Sequence, residues 1–346
     1  MGMVMNRRHF FVTAAAVTAA AGLAACSKGE TSGGGSTKAK SITVYSGQHE
    51  SLTNEWVEAF KKETGIDVAI RRAGDIELAN QLVAEGDASP ADVFLTENSP
   101  AMALVENAGL FAGLDQATLN QVPEAYRPST GKWTGAAARS TVFAYNKDKL
   151  TEDQLPKSIF DLQKPEWKGR WSAATNADFQ AIMAAMLELK GADATESWLK
   201  SLKNDGTAYQ NNIAVYQNVN SGQVEGGVTF HYYWFQDQAK TGDISNNVKL
   251  HYFKHEDPGA FVSVSGAGVL KGSKNAEAAQ QFVAFVTGPK GQAVLSGGDV
   301  WEYPVGNGAK ANPKLPPLAS LEAPKVDTSK FDSKKVTELM TQAGLL

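Results

Sequence analysis

Cysteine is almost absent from this chain: Cys26 is the only one among 346 residues. The chain therefore cannot form an internal disulfide, and the part beyond Cys26 has no thiol that could act as a nucleophile. Long hydrophobic runs are also missing. After the first 25 residues, no uninterrupted apolar stretch reaches the roughly 20 residues that a membrane-spanning helix needs.

Other absences narrow the function. The chain has 33 Lys and Arg against 37 Asp and Glu, a formal charge of −4. Loss of residues 1–25 would remove Arg7 and Arg8 and no acid, which gives −6. That balance argues against a nucleic-acid partner. The sequence also has no Gly-x-Ser-x-Gly and no His-Glu-x-x-His, so a secreted hydrolase is disfavoured and the protein is predicted not to be an enzyme.

The N-terminus has the pattern of an export signal. Arg7 and Arg8 precede an apolar stretch over residues 10–25, and small residues lead to Leu23-Ala24-Ala25-Cys26. The Arg pair resembles a twin-arginine signal, although the sequence does not distinguish that route from general secretion. The last four residues resemble a bacterial lipobox. We therefore predict a signal peptide over residues 1–25 and lipidation of Cys26; the alternative is an uncleaved membrane anchor with an idle cysteine.

Residues 26–40 contain Gly33-Gly34-Gly35-Ser36 and no large apolar side chain. This composition predicts a flexible tether between the lipid and a folded domain. The protein is thus expected to be exported and anchored by lipid alone, at the outer face of the cell membrane or in the periplasm.

Strand-like and helix-like segments alternate after the tether. Short apolar runs at 42–46, 66–70 and 92–96 predict strands, and each is followed by apolar residues at helical spacing. This alternation indicates βαβ units and a mainly parallel sheet. About 300 residues are enough for two lobes with separate cores.

Four potential metal ligands follow three of the apolar runs. His49 and Glu97 come just after the strands at 42–46 and 92–96, and Tyr232 and Tyr233 lie near the end of the run at 228–234. Ligands of open α/β folds bind at the edge where such strands end. Two phenolates and one carboxylate supply three negative charges, and hard anionic oxygens suit Fe³⁺. Taken singly, each has another explanation: the tyrosines could be core or surface, His49 a loop residue and Glu97 a helix cap.

Three segments carry a family resemblance: ITVYSGQH at 42–49, PADVFLTE at 90–97 and HYYW at 231–234. In this order they resemble the periplasmic ferric-ion-binding proteins of bacterial iron-uptake ABC transporters, from about residue 42 to at least 310. The resemblance implies a type II periplasmic-binding-protein fold, with two α/β lobes joined by two hinge strands and the metal in the cleft.

The resemblance also implies how the chain is divided. Residues 41–140 and 263–300 would form lobe 1, residues 141–262 lobe 2, and residues 301–346 would pack mainly on lobe 2. His49 and Glu97 would then face Tyr232 and Tyr233 across the cleft. The implied function is binding of ferric iron outside the cytoplasm, as a monomer, and delivery to an ABC permease driven by its ATPase.

The expected anion pocket departs from the family pattern. Many relatives hold a synergistic anion near a small-residue turn, where this chain has Asn176 followed two residues later by Asp178. The acidic side chain would repel an anion. Asn212 matches a second anion-binding position, and Arg139 matches an arginine that can face carbonate, although a hinge salt bridge would explain it too. The resemblance therefore favours carbonate over phosphate.

One alternative of the same fold class remains open. A related solute-binding protein for a polyamine, thiamine or a phosphonate would also be exported and two-lobed. Such sites need acidic or aromatic cages, or basic and hydroxyl groups, and do not require His49, Glu97 and both tyrosines together. An iron-dependent visible absorption band would distinguish the two functions.

Overall fold

The computed structural model describes residues 41–346. The predicted signal peptide, the tether and Cys26 lie outside the described residues. Within residues 41–346, no helix is both long and apolar enough to cross a membrane.

Strands and helices alternate through the first half of the described chain. The strands are β1 (Ser41–Ser46), β2 (Asp67–Arg72), β3 (Val93–Leu95), β4 (Thr134–Asn146), β5 (Trp171–Ala174), β6 (Thr207–Tyr209), β7 (Gly226–Phe230), β8 (Val248–His251), β9 (Val262–Val269) and β10 (Tyr303–Pro304). The helices are α1 (Glu50–Thr64), α2 (Asp75–Glu85), α3 (Ser99–Asn107), α4 (Gln116–Leu119), α5 (Ala177–Asp205), α6 (Asn212–Asn220), α7 (Tyr232–Lys240), α8 (Ala276–Thr287), α9 (Pro289–Gly297) and α10 (Ser333–Gln342).

One long strand, β4, connects two parts of the sheet. Strands follow the order β2-β1-β3-β9-β4-β7-β5-β6, and β8 and β10 also pair with β4. The first part of β4 pairs with β9 and β10, and its second part pairs with β7 and β8. We call the strands on these two sides the first half-sheet (β2, β1, β3, β9, β10) and the second half-sheet (β8, β7, β5, β6).

The sheet is mixed, which corrects the expectation of a mainly parallel one. The pairs β1–β2, β1–β3, β5–β6 and β5–β7 are parallel. All the pairs that involve β4 or β9 are antiparallel. The reason is that β4 and β9 run against their neighbours where the two half-sheets meet, while βαβ units are confined to the outer strands.

Helices cover both half-sheets and give each its own core. Leu52, Trp56 and Phe60 form the buried face of α1 and pack with α8 beneath the first half-sheet. Helix α5 contributes many of the buried residues in the core of the second half-sheet, among them Phe179 and Trp198, whose ring planes are tilted by 34°. Burial of such large apolar side chains is the main stabilising contribution of each core.

Glycines end or interrupt two helices where L side chains would be strained. Gly65 adopts φ 73° after α1 and donates its N–H to Lys61 O, as a helix-terminating residue does. Gly191 has φ 81° inside α5, so that helix is kinked there.

The C-terminal segment returns to both parts of the molecule. β10 pairs with Ala137 and Ala138 of β4, and α10 packs its Val336, Leu339 and Met340 into the core that contains α5. The lobe boundaries given above stay predictions.

Candidate metal centre

The ends of β1 and β3 bring His49 and Glu97 to the same edge of the first half-sheet. These strands are parallel neighbours, with Ser46 opposite Leu95. His49 lies three residues beyond β1, at the position before α1, and Glu97 lies two residues beyond β3. His49 Nε2 is 3.3 Å from Glu97 Oε1. The two side chains therefore lie next to one another, as expected for residues that follow neighbouring parallel strands.

Tyr232 and Tyr233 begin helix α7 rather than ending a strand. The run at 228–234 is strand only as far as Phe230, and the helix starts at Tyr232. The two rings stack with centroids 4.2 Å apart, so both phenols project to the same side. His231, directly before α7, also has helical backbone angles, so its side chain does not alternate with that of Tyr232 as it would in a strand.

The phenols contact two acidic side chains, one beside each half-sheet. Tyr232 OH donates to Glu97 Oε1 at 3.1 Å, and its ring lies 5.2 Å from that of His49. Tyr233 OH donates to Asp178 Oδ2 at 3.2 Å. The four predicted ligand residues thus form one cluster, which joins the two half-sheets.

Asp178 lies at the centre of this cluster. Its Oδ2 also accepts from Tyr232 OH at 3.3 Å and from Asn212 Nδ2 at 2.8 Å. Its Oδ1 accepts from Asn98 Nδ2 at 3.1 Å. Asp178 is buried and lies in the first turn of α5, where the helix dipole stabilises negative charge. From the sequence this carboxylate was expected only to repel an anion, whereas in the structure it accepts hydrogen bonds from both phenols.

The two asparagines expected near an anion have different environments. Asn212 contacts Asp178, as given above. Asn176 caps α5: its Oδ1 accepts from Phe179 N at 3.3 Å. No contact between Asn176 and the four predicted ligands is found in the described part of the chain, so a role for Asn176 at an anion stays a prediction without structural support.

Arg139 is fully buried and is held by protein groups. Its Nη2 donates to Asn98 Oδ1 at 2.7 Å, and its Nη1 donates to Ser265 Oγ at 2.9 Å. Burial opposes its charge, but the carboxylates of Glu302 and Glu97 outweigh burial and raise the pKa of Arg139 above its ordinary value. Of the two interpretations given above, a salt bridge at the hinge, here with Glu97 and Glu302, describes Arg139 better than a group facing an exogenous anion.

The site strongly favours protonated phenols when no cation is bound. Burial raises the pKa of Tyr232 well above 10, and Asp178 and Glu97 raise it further. Burial and the same two carboxylates also raise the pKa of Tyr233. Because an ordinary phenol already needs a strong Lewis acid to ionise at neutral pH, only a highly charged cation can make both of these groups anionic ligands.

Three residues that support the cluster were missed by sequence reasoning. Asn98 links Arg139 to Asp178. Asp75 accepts from Glu97 N at 3.0 Å and from Asn98 N at 2.7 Å, and burial and the Glu97 charge raise its pKa to about 7. Glu302 lies 3.4 Å from His49 Nε2. Asp75 lies three residues beyond β2, the same distance that separates His49 from β1, so the strand-end pattern could have indicated it. Glu302 precedes β10 and follows no strand end, so the pattern carried no signal for Glu302.

His231 is adjacent to the tyrosines but faces away from the cluster. It is fully buried, its Nδ1 accepts from Ser140 N at 3.1 Å, and its ring stacks on Tyr303 at 4.9 Å. Burial lowers the pKa of His231 to about 3. The ring is therefore neutral and serves packing.

The composition of the cluster fits a hard trivalent cation. Among residues 41–346, His, Cys, Asp and Glu side chains alone form no group of three that could hold a metal ion. Phenolate and carboxylate oxygens with one imidazole match the preference of Fe³⁺, whereas Ca²⁺ and Mg²⁺ prefer carboxylates, carbonyls and water.

Comparison with known proteins agrees with this chemistry. The sequence profile of the bacterial extracellular solute-binding proteins matches residues 88–330. The Fe(3+)-binding periplasmic protein of Serratia marcescens is 61% identical over 306 residues, or 88% of this chain and 90% of that protein. The major ferric iron-binding protein of Neisseria meningitidis serogroup B is 37% identical over 308 residues, or 88% and 93%. Iron-bound HitA from Pseudomonas aeruginosa has a TM-score of 0.81 at 40% identity, covering 88% of this chain and 99% of that one.

The chain belongs to the bacterial extracellular solute-binding protein family. Within that family, the relatives just described are ferric-ion-binding proteins, so the resemblance stated from the sequence is confirmed. The likeness to HitA also confirms the two-lobed α/β fold of type II periplasmic binding proteins.

Proposed function

We propose that this protein binds ferric iron outside the cytoplasm and delivers it to an ABC permease for uptake. The observation that carries the proposal is the pair of phenols, the buried Tyr232 and the partly buried Tyr233, within hydrogen-bond distance of Glu97 and Asp178. The relatives named above support the same cargo and the same compartment. They are binding proteins, and we propose that this chain likewise catalyses no reaction.

We propose that five side chains bind the ion: His49, Glu97, Tyr232, Tyr233 and Asp178. The first four were predicted from the sequence. Asp178 is added because its Oδ2 lies within 3.3 Å of both phenol oxygens, so a cation bound between the phenolates would be within its reach. The Asp178 carboxylate would then supply the oxygen ligand that was expected, from the sequence, to come from exogenous carbonate.

The charges of this set balance reasonably. Two phenolates and two carboxylates carry four negative charges against the three positive charges of Fe³⁺. The buried Arg139, 3.9 Å from Glu97 Oε1, offsets the excess. Deprotonation of both phenols also means that iron binding releases protons, so acid favours release.

Iron binding should close the cleft and produce colour. Because ligands come from both lobes, the ion binds all of them only in the closed state and stabilises that state. We expect a broad phenolate-to-iron absorption band on titration with ferric nitrilotriacetate, and a smaller radius of gyration by X-ray scattering. A titration without any visible band would instead favour a related protein for a polyamine, thiamine or a phosphonate. A band without compaction would mean that the lobes are already closed before iron arrives.

We further propose that the mature protein is a monomer attached to the membrane by lipid on Cys26, and that an ATPase drives the permease it serves. If Cys26 is acylated, Cys26→Ser should move the protein from the membrane fraction to the soluble fraction without changing its iron affinity. Labelling with a fatty-acid analogue should mark the wild type and not the variant. Equal labelling of both would contradict the lipobox prediction.

A further inference from the structure

Glu302 is a buried carboxylate beside the proposed iron site with no role assigned so far. Its side chain has no solvent exposure, and it immediately precedes β10. Glu302 Oε1 lies 3.4 Å from His49 Nε2. Within residues 41–346, neither of these two atoms forms a hydrogen bond. Buried polar atoms without partners are uncommon and call for an explanation, such as a bound ion.

The other oxygen of Glu302 belongs to the network that holds the site together. Oε2 is 3.7 Å from Arg139 Nη1 and 3.3 Å from Ser265 Oγ. Ser265 Oγ also accepts from Gln48 Nε2 at 2.8 Å, and Gln48 Oε1 accepts from His49 N at 2.7 Å. Glu302 is therefore connected to the backbone of His49 as well as facing its ring.

The backbone before Glu302 adopts an unfavourable conformation. Trp301 has φ 58°, in the left-handed region that bulky L residues rarely occupy. Its ring stacks on Phe235 of α7 with centroids 5.4 Å apart. Packing against α7 therefore holds Trp301 in this backbone conformation. Such strain persists only where surrounding structure enforces it, and it clusters at functional sites. Here it occurs directly before the carboxylate that points at His49.

We propose that Glu302 is a positioning residue of the iron site, which holds the His49 ring from the side of β10 and places an additional negative charge beside the bound ion. This inference rests on the proposed function. A carboxylate buried without a hydrogen bond for one of its oxygens is costly unless a cation compensates it. One oxygen lies 3.7 Å from Arg139, and the other faces His49 and therefore the ion that His49 would bind.

Glu302→Gln tests the proposal, because it keeps the shape of the side chain and removes its charge. Loss of a group that orients a metal ligand typically lowers metal affinity about 10- to 100-fold. We expect a loss of that size, measured by competition with citrate. Removal of a nearby negative charge also stabilises the accepting orbitals of Fe³⁺, so the phenolate-to-iron band should move to longer wavelength. A residue that only packs would not shift this band.

Glu322→Gln is the matched control. Glu322 pairs with His255 at 2.9 Å, an exposed Glu–His contact elsewhere on the molecule, and the variant should have wild-type affinity and band position. If Glu302→Gln fails to fold, Glu302→Asp is used instead. That variant retains the charge but withdraws it from His49, and it should show a smaller loss of affinity and a smaller band shift.

Two results overturn the inference. One is a Glu302 variant that folds and has wild-type affinity and band position; the other is a loss of affinity with no band shift, since a purely structural defect would produce it. Both leave iron binding by the wild type intact. Failure of the wild type to develop the band would instead contradict the proposed function, so the two failures are distinguishable.

Discussion

Replacing Tyr232 or Tyr233 with Phe should lower ferric affinity by roughly a thousandfold, equivalent to about 4 kcal/mol, and the double replacement should abolish the visible band. Each substitution removes one anionic oxygen and leaves the ring in place. The loss is expected to be large because the phenolates are the ligands that make the site specific for a strongly Lewis-acidic cation. Absorption spectra and competition with citrate measure both effects.

Tyr216→Phe provides the control for these variants. Tyr216 is fully buried, its OH donates to Phe230 O at 3.0 Å, and its ring lies 6.2 Å from that of Tyr233. It is thus a neighbouring phenol that packs near Tyr233 but whose hydroxyl donates to a backbone carbonyl and not to a proposed ligand. The variant should retain the band and the affinity while losing some stability. Full colour and affinity in the Tyr232→Phe/Tyr233→Phe double variant would show that the iron ligands lie elsewhere.

Much of the candidate site was predictable because strand ends in α/β folds meet at one edge. His49 and Glu97 were predicted because each follows one of two parallel, neighbouring strands. The exact register of these strands was not needed for the prediction. The tyrosines were found despite a wrong assignment of local structure. They lie in the first turn of α7, and a strand end or a helix start at this point brings them to the same place.

The mixed sheet was not predictable from local patterns. The bulky apolar run that favours a strand here covers only residues 142–145, whereas β4 extends over Thr134–Asn146. Its first part is rich in Gly and Ala, which have low strand propensity. It forms a strand because β9 and β10 pair with it on both sides. Tertiary pairing therefore determined the structure at the point where the two lobes meet.

The supporting residues escaped prediction because their partners are distant in sequence. Asn98 contacts Arg139 and Asp178, and Glu302 contacts His49 across more than 250 positions. No short pattern marks such contacts. Asp178 was singled out from the sequence, but only as a negative charge that would repel an exogenous anion. The structure shows a different relation, since both phenols donate to its carboxylate.

Asp178→Ala should convert iron binding from anion-independent to anion-dependent. In wild type the carboxylate lies beside both phenols, so ferric iron should bind with full affinity in buffer stripped of carbonate, phosphate and citrate. The variant should lose affinity by about 100- to 1,000-fold, equivalent to roughly 3–4 kcal/mol. Added carbonate or phosphate should restore part of it, because removal of the side chain makes room for an anion next to Asn212, which donates to Asp178 in the wild type.

Asp332→Ala is the matched control, since Asp332 caps the first turn of α10 by accepting from Lys335 N at 2.9 Å, far from the ligands in sequence and without contact to them. It should bind iron as wild type does, with or without anions.

The opposite result would contradict the role proposed for Asp178. If wild type binds iron tightly only when carbonate is supplied, and Asp178→Ala binds as well or better, then Asp178 repels the anion as the sequence analysis expected. The carbonate hypothesis would then replace the carboxylate ligand, and Arg139 would be the next residue to test. The proposal is supported if wild type binds iron without added anions and added anions restore binding by Asp178→Ala. In that case α5 supplies, through Asp178, the oxygen ligand that would otherwise come from an anion in solution.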